Sequence, residues 1–123
     1  MAATPEAKVK KKIRDILNEY GVYHVMPATH GYGSSGVPDI LVCASGKFVG
    51  IECKANGGKP TELQKKNLAD IVKANGYSFL VDETSYGVFK MVFGELVTST
   101  VPYPPTIYDL CRDQNQQTAQ QDA

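Results

Sequence analysis

The sequence predicts a single α/β domain in the order helix, three strands, helix, strand. Three observations predict it. Apolar residues recur three and four apart ahead of Gly21, two apolar runs flank Ser45-Gly46, and a capped stretch from Thr61 leads into the apolar run Tyr77 to Val81. At 123 residues the chain can bury a real core but is too short for two. A composition of 42% hydrophobic and 21% charged residues places it with folded globular chains rather than disordered ones. No apolar run is long enough to span a bilayer, so no membrane partner is expected. The N-terminus lacks the apolar stretch of a signal peptide. Three cysteines are an odd number and fit no zinc spacing, which points to a reducing cytoplasm.

The first helix begins at Thr4-Pro5-Glu6. Thr4 suits the N-cap, Pro5 the first turn, and Glu6 the positive end of the helix dipole. It runs to about Tyr20 and stops at Gly21. Its apolar stripe is Val9, Ile13, Ile16, Leu17 and Tyr20, and Glu6 lies on that stripe one turn ahead of Val9. Val22 to Met26 reads as a short strand ended by Pro27. Residues 28 to 38 read as a mobile Gly-rich loop, without the Gly-Lys-Ser/Thr ending of a phosphate-binding loop. Residues 39–44 and 47–54 read as strands joined into a hairpin by Ser45-Gly46. A second helix starts after Thr61, reaches about Ala74 and ends at Asn75-Gly76, burying Leu68, Ile71 and Val72. Tyr77 to Val81 reads as a central strand. Ser85 to Phe93 reads as a short helix or an edge strand, the helix being preferred.

The domain is expected to span residues 1–97. Residues 98–123 read as an extended, partly disordered tail: a proline-rich linker, one docking helical turn over Ile107 to Cys111, and a polar end. Basic and acidic residues balance at 13 each, so net charge says nothing for nucleic acid. Their distribution is uneven, with a basic front and an acidic back. Lys8, Lys10, Lys11, Lys12 and Arg14 read either as a solvated helix face or as contacts to a DNA backbone. Lys59, Lys65 and Lys66 extend that path, and His30 borders the Gly-rich loop within reach of a phosphate. His24 reads as a packing residue.

The segment that carries chemistry is Gly36-Val-Pro-Asp39 followed by Ile51-Glu52-Cys53-Lys54. With Ser45 and Gly46 as turn residues, Ala44 pairs with Lys47 and, counting outward, Asp39 with Glu52. Opposed residues hold their Cβ atoms roughly 4.5–5.5 Å apart on one face. Lys54, two residues beyond Glu52, projects to that same face. Two carboxylates so placed repel, and a divalent cation between them removes the conflict. Hard oxygen ligands without histidine or paired cysteines favour Mg²⁺ or Mn²⁺, with the Cys53 carbonyl as a further oxygen. Lys54 would then hold an attacking water or stabilise developing charge, which suits phosphodiester hydrolysis. Taken singly, Asp39 and Glu52-x-Lys54 read as ordinary exposed strand charges; the matched register favours a metal site.

Pro38-Asp39, then a dozen residues, then Glu52-Cys53-Lys54 resembles the PD-(D/E)xK nuclease superfamily, and more specifically the VRR-NUC family. The resemblance runs from Glu6 to about Val81 and includes Lys54-Ala55, the Gly-rich connection after it, and Gln64 on the next helix. It implies a restriction-endonuclease-like mixed sheet with helices on both sides, and looks like the small stand-alone form known from phages, acting in a bacterial host's cytoplasm. It further implies that Asp39 and Glu52 ligate the metal, that Lys54 serves the attacking water, that Glu6 completes the acidic cluster, and that Gln64 positions nucleophile or substrate. Read from the residues alone, Glu6 compensates the helix dipole equally well, and Thr61-x-x-Gln64 is a capping box.

What the resemblance implies as activity is Mg²⁺-dependent cutting of branched DNA, notably four-way (Holliday) junctions, by a homodimer. Tyr86, Phe89 and Phe93 read as an interface or as core. Cutting or nicking of linear duplex is a second reading. A nucleic-acid-binding module that does not cut is a third, against which the intact Asp39, Glu52 and Lys54 speak.

Overall fold

The computed structural model describes residues 3–28 and 35–111. Eight elements follow in order: α1 (Pro5–Tyr20), β1 (Tyr23–Val25), β2 (Ile40–Ala44), β3 (Lys47–Cys53), α2 (Glu62–Lys73), β4 (Tyr77–Val81), α3 (Tyr86–Thr98) and β5 (Ile107–Asp109). They build one α/β unit around a mixed sheet in the spatial order β1-β2-β3-β4-β5. The first three strands are antiparallel neighbours, and β3-β4 and β4-β5 are parallel. Each parallel pair needs a long return, and α2 and α3 supply them.

Local chemistry accounts for the element ends. Thr4 Oγ1 accepts the Ala7 N–H at 3.1 Å, and Gly21 closes α1 in the left-handed conformation at φ 67°. Ser45 and Gly46 both have positive φ, the turn that a two-residue hairpin with right-handed strand twist requires. Ala44 stands opposite Lys47 as expected. At α2 the capping box is complete: Gln64 N–H donates to Thr61 Oγ1 at 3.1 Å and Thr61 N–H to Gln64 Oε1 at 2.9 Å.

Helices cover both sheet faces, as strand alternation shows. On β4, Ser78 Oγ donates to the Leu68 carbonyl of α2 at 2.8 Å, while the next residue, Phe79, meets Phe89 of α3 edge-on at 5.2 Å between ring centroids. The main core lies on the α1/α3 side, where Val9, Ile13, Leu17, Ile51, Phe79, Phe89 and Phe93 are among the buried side chains. On the other side Gly50 lets α2 close onto the sheet: a Cβ there would come within 2.5 Å of Ile71 Cδ1 and 3.1 Å of Pro38 Cγ. Glu52, two positions along β3, lies on the same face of the strand.

Some expectations change and others are narrowed. Residues 107–111 do not form a helical turn. Ile107–Asp109 is a fifth strand parallel to β4, with Leu110 N–H donating to the Leu80 carbonyl at 2.9 Å and Tyr108 stacked on Phe79 at 4.8 Å. The packed unit therefore extends past residue 97, and Leu110 and Cys111 are buried. A three-residue edge strand has no periodicity to read; it is held by β4, which folds far from it in sequence. β4 is interior but β3 is the middle strand. The helix from Ser85 is real and runs on to Thr98. Phe89 and Phe93 belong to the core and not to an exposed interface, because α3 packs them on the sheet. Residues 112–123, including the polar tail, and residues 29–34, including His30, lie outside the described residues. No helix among the described residues is long and apolar enough to cross a membrane.

Candidate functional site

Three elements end at one place. α1 brings Glu6 in its first turn, the segment entering β2 brings Asp39, and β3 brings Glu52 next to its last residue. One ligand atom from each lies within 4.8 Å of the other two. The shared stripe of Glu6 and Val9 explains the first contribution: burying Val9 and Ile13 against the sheet turns Glu6 toward the strand ends.

Asp39 is not the first residue of β2, as the hairpin count has it. The ladder ends at Ile40 opposite Ile51, and Asp39 sits at a bend just before it. Its Oδ2 accepts the Cys53 N–H at 2.8 Å, so a side chain takes the place of a further ladder carbonyl. That bond orients the carboxylate beside Glu52. Cys53, whose carbonyl is the expected fourth oxygen, stands between Glu52 and Lys54, and its side chain is buried in the core of the opposite face.

Glu52 and Lys54 share a face as expected, but that face is not open. Glu52 is 1% exposed and Lys54 8%. Lys54 Nζ lies 3.4 Å from Glu52 Oε2, while Glu52 Oε1 is buried without a hydrogen-bond partner among the described residues. Burial pushes the Glu52 carboxyl up to about 8; the negative charge of Asp39 adds to this and Lys54 opposes it. A buried carboxylate oxygen without a donor is the feature that most needs explaining in a folded protein. Three carboxylates in reach of one another, one with such an oxygen, fit a hard divalent cation of the Mg²⁺ or Mn²⁺ kind.

A second lysine enters the site. Lys10 Nζ stands 3.5 Å from Asp39 Oδ1. Reading the charges of α1 as a DNA-facing run overlooks this contact. Its signal in the sequence is the four-residue spacing from Glu6, which puts both on one helix face. Burial, with Asp39 and Glu52 close by, raises the Cys53 thiol above its ordinary value, which leaves it no thiolate nucleophile.

The remaining candidates are placed less tightly. Gln64 commits its side-chain oxygen to the α2 cap, leaving the amide NH₂ for any other role. Lys8, Lys11 and Lys12 are exposed along α1, with Lys11 paired to Asp15 at 3.1 Å. Lys65 pairs with Glu62 at 3.2 Å, and Lys59 is exposed beside it on a small recess of about 170 Å³. His24 is half-buried, its Nδ1 3.3 Å from the Val22 carbonyl, in keeping with packing. The chain matches no protein-family model and no curated protein.

Proposed function

We propose that this chain is a metal-dependent endonuclease that hydrolyses DNA phosphodiester bonds, a VRR-NUC-type member of the PD-(D/E)xK superfamily with a restriction-endonuclease-like fold. The observation that carries the reading is the convergence of Glu6, Asp39 and Glu52 within 4.8 Å around a carboxylate whose buried oxygen lacks a donor among the described residues. Mg²⁺ or Mn²⁺ bound there supplies Lewis-acid neutralisation of phosphate charge.

The chain's own residues do the rest. Asp39, anchored through Oδ2 by the Cys53 N–H, presents its other oxygen in a set orientation. Glu52 contributes the buried oxygen, the Cys53 carbonyl a neutral one, and Glu6 closes the cluster from the helix side. Lys54 holds the attacking water with its ammonium and stabilises the negative charge that grows on the phosphate in the transition state. The Gln64 amide NH₂ positions the nucleophile or the phosphate. Lys8, Lys11, Lys12, Lys59 and Lys65, with His30, contact phosphates, which set register without reading sequence. The substrate is branched DNA, above all the four-way junction, and the acting species is a homodimer with one site for each of two strands.

The experiment is direct. Purified protein is incubated with labelled four-way junction, flap, duplex and single strand in Mg²⁺, Mn²⁺ or EDTA, beside Asp39→Ala and Lys54→Ala. Metal-dependent cutting of branched substrate is expected, lost in both variants while binding persists. Undiminished cutting by Asp39→Ala sinks the assignment. Light scattering on the junction complex tests the paired-cut arrangement, which a strict monomer overturns.

A further inference from the structure

We infer that Lys10 is the resident counterion of Asp39 and gives that carboxylate up when a divalent cation enters the acidic cluster. The inference rests on the metal-site reading above and adds a residue which that reading does not use.

The two oxygens of Asp39 have different partners. Oδ2 is taken by the Cys53 N–H at 2.8 Å, a bond within the frame of the sheet. Oδ1 is the oxygen left to face a cation, and Lys10 Nζ stands 3.5 Å from it. An ammonium and a divalent cation drawn to the same oxygen would lie a few ångströms apart, with nothing between them to screen their repulsion. One must leave. The lysine can leave at little cost: its side chain is 33% exposed and ends on a flexible four-carbon stem.

Lys54 is the contrast. Its side chain is only 10% exposed and its partner Glu52 2%, so its ammonium has no comparable route to water. The site thus holds one fixed and one exchangeable lysine. In the cation-free protein Lys10 offsets part of the negative charge that Asp39 brings to the cluster. In the same measure it competes with the cation that would do so better.

The test is Mn²⁺ binding to the intact protein at low ionic strength, read from the electron paramagnetic resonance of free Mn²⁺. Lys10→Gln is expected to bind about fivefold tighter than wild type, the factor that a partly exposed ion pair is worth. Lys12→Gln removes the same charge two residues along α1, away from any ion pair among the described residues, and is expected to shift affinity less than twofold. Lys10→Arg, which keeps the counterion, stays near wild type. Lys10→Gln binding no tighter than Lys12→Gln overturns the inference. Asp39→Ala binding Mn²⁺ as tightly as wild type overturns instead the metal-site reading on which it rests.

Discussion

Two neighbouring strand ends each bury a carboxylate, and they treat it in opposite ways. At the end of β4, Asp82 is 6% exposed and one of its oxygens gathers hydrogen-bond donors. Its Oδ1 accepts the Thr84 N–H at 2.9 Å together with the Thr84 hydroxyl. Ser85 Oγ accepts the Asp82 N–H at 3.0 Å and reaches the Leu110 carbonyl at 2.8 Å, tying the turn to the segment after β5. At the end of β3, Glu52 is buried more deeply, with one lysine on one oxygen and no hydrogen-bond donor on the other among the described residues. The first arrangement is a closed network that holds the fold. The second is left open in a place where burial penalises the charge. A buried acid alone does not mark a site; the proposed function rests on an unsatisfied one beside other acids.

Substitutions that exchange stability for activity break or sharpen this contrast. Glu52→Gln removes the titratable carboxyl at constant size. It is expected to reduce cutting at least about a hundredfold while raising stability in urea without metal. A loss of stability there would make Glu52 a structural residue like Asp82. The pH dependence follows from the same group. Its folded carboxyl is raised to about 8 from an ordinary 4.5, so between those values the folded protein holds a proton that the unfolded chain has released. Stability without metal is therefore highest at the acid side of this window and falls as pH rises toward 8, levelling above it. A melting temperature falling by several degrees from about pH 5.5 to about pH 8.5 is expected, with this slope missing in Glu52→Gln. A flat wild-type profile would contradict the burial argument.

Ser85→Ala is the mirror experiment. Opening the Asp82 network is expected to lower unfolding free energy by about 1–3 kcal/mol and to leave cutting within a factor of about two. Cutting that collapses while the fold persists would move this network into the active site. The smallest effect concerns Gln64. Losing the capping box in Gln64→Ala should reduce stability by about 1 kcal/mol, whereas Gln64→Glu can still close the box. If the amide also serves the reaction, cutting slows severalfold in both variants and stability drops only in the first. Equal cutting by wild type and Gln64→Glu would confine Gln64 to the cap.

Much of this was legible along the chain. The first helix ends where Gly21 stops it, the hairpin turns on Ser45-Gly46, and Tyr77–Val81 is a strand to the residue. Each follows from signals within one segment: a cap, a turn pair, an apolar run. The shared face of Glu52 and Lys54 was equally legible, because alternation along a strand is local geometry. Less so were the burial of that face, the bend that takes Asp39 out of β2, and the Lys10 contact. Gly50 looks like a weak strand residue until α2 is seen to press against it. Ile107–Asp109 has strand-favouring residues but is too short to read as a strand, and becomes one only because β4 offers a partner.

By itself, the order of residues determined which side chains share a face and therefore which acids and lysines are available as a set. That is covalent periodicity, and it holds whatever surrounds the segment. Tertiary structure alone decided that Glu6 meets Asp39 and Glu52, that one carboxylate oxygen is sealed from water, and that one of two lysines is more exposed than the other. Those are distances and exposures between elements, set by how α1 and α2 pack onto opposite faces of a single sheet.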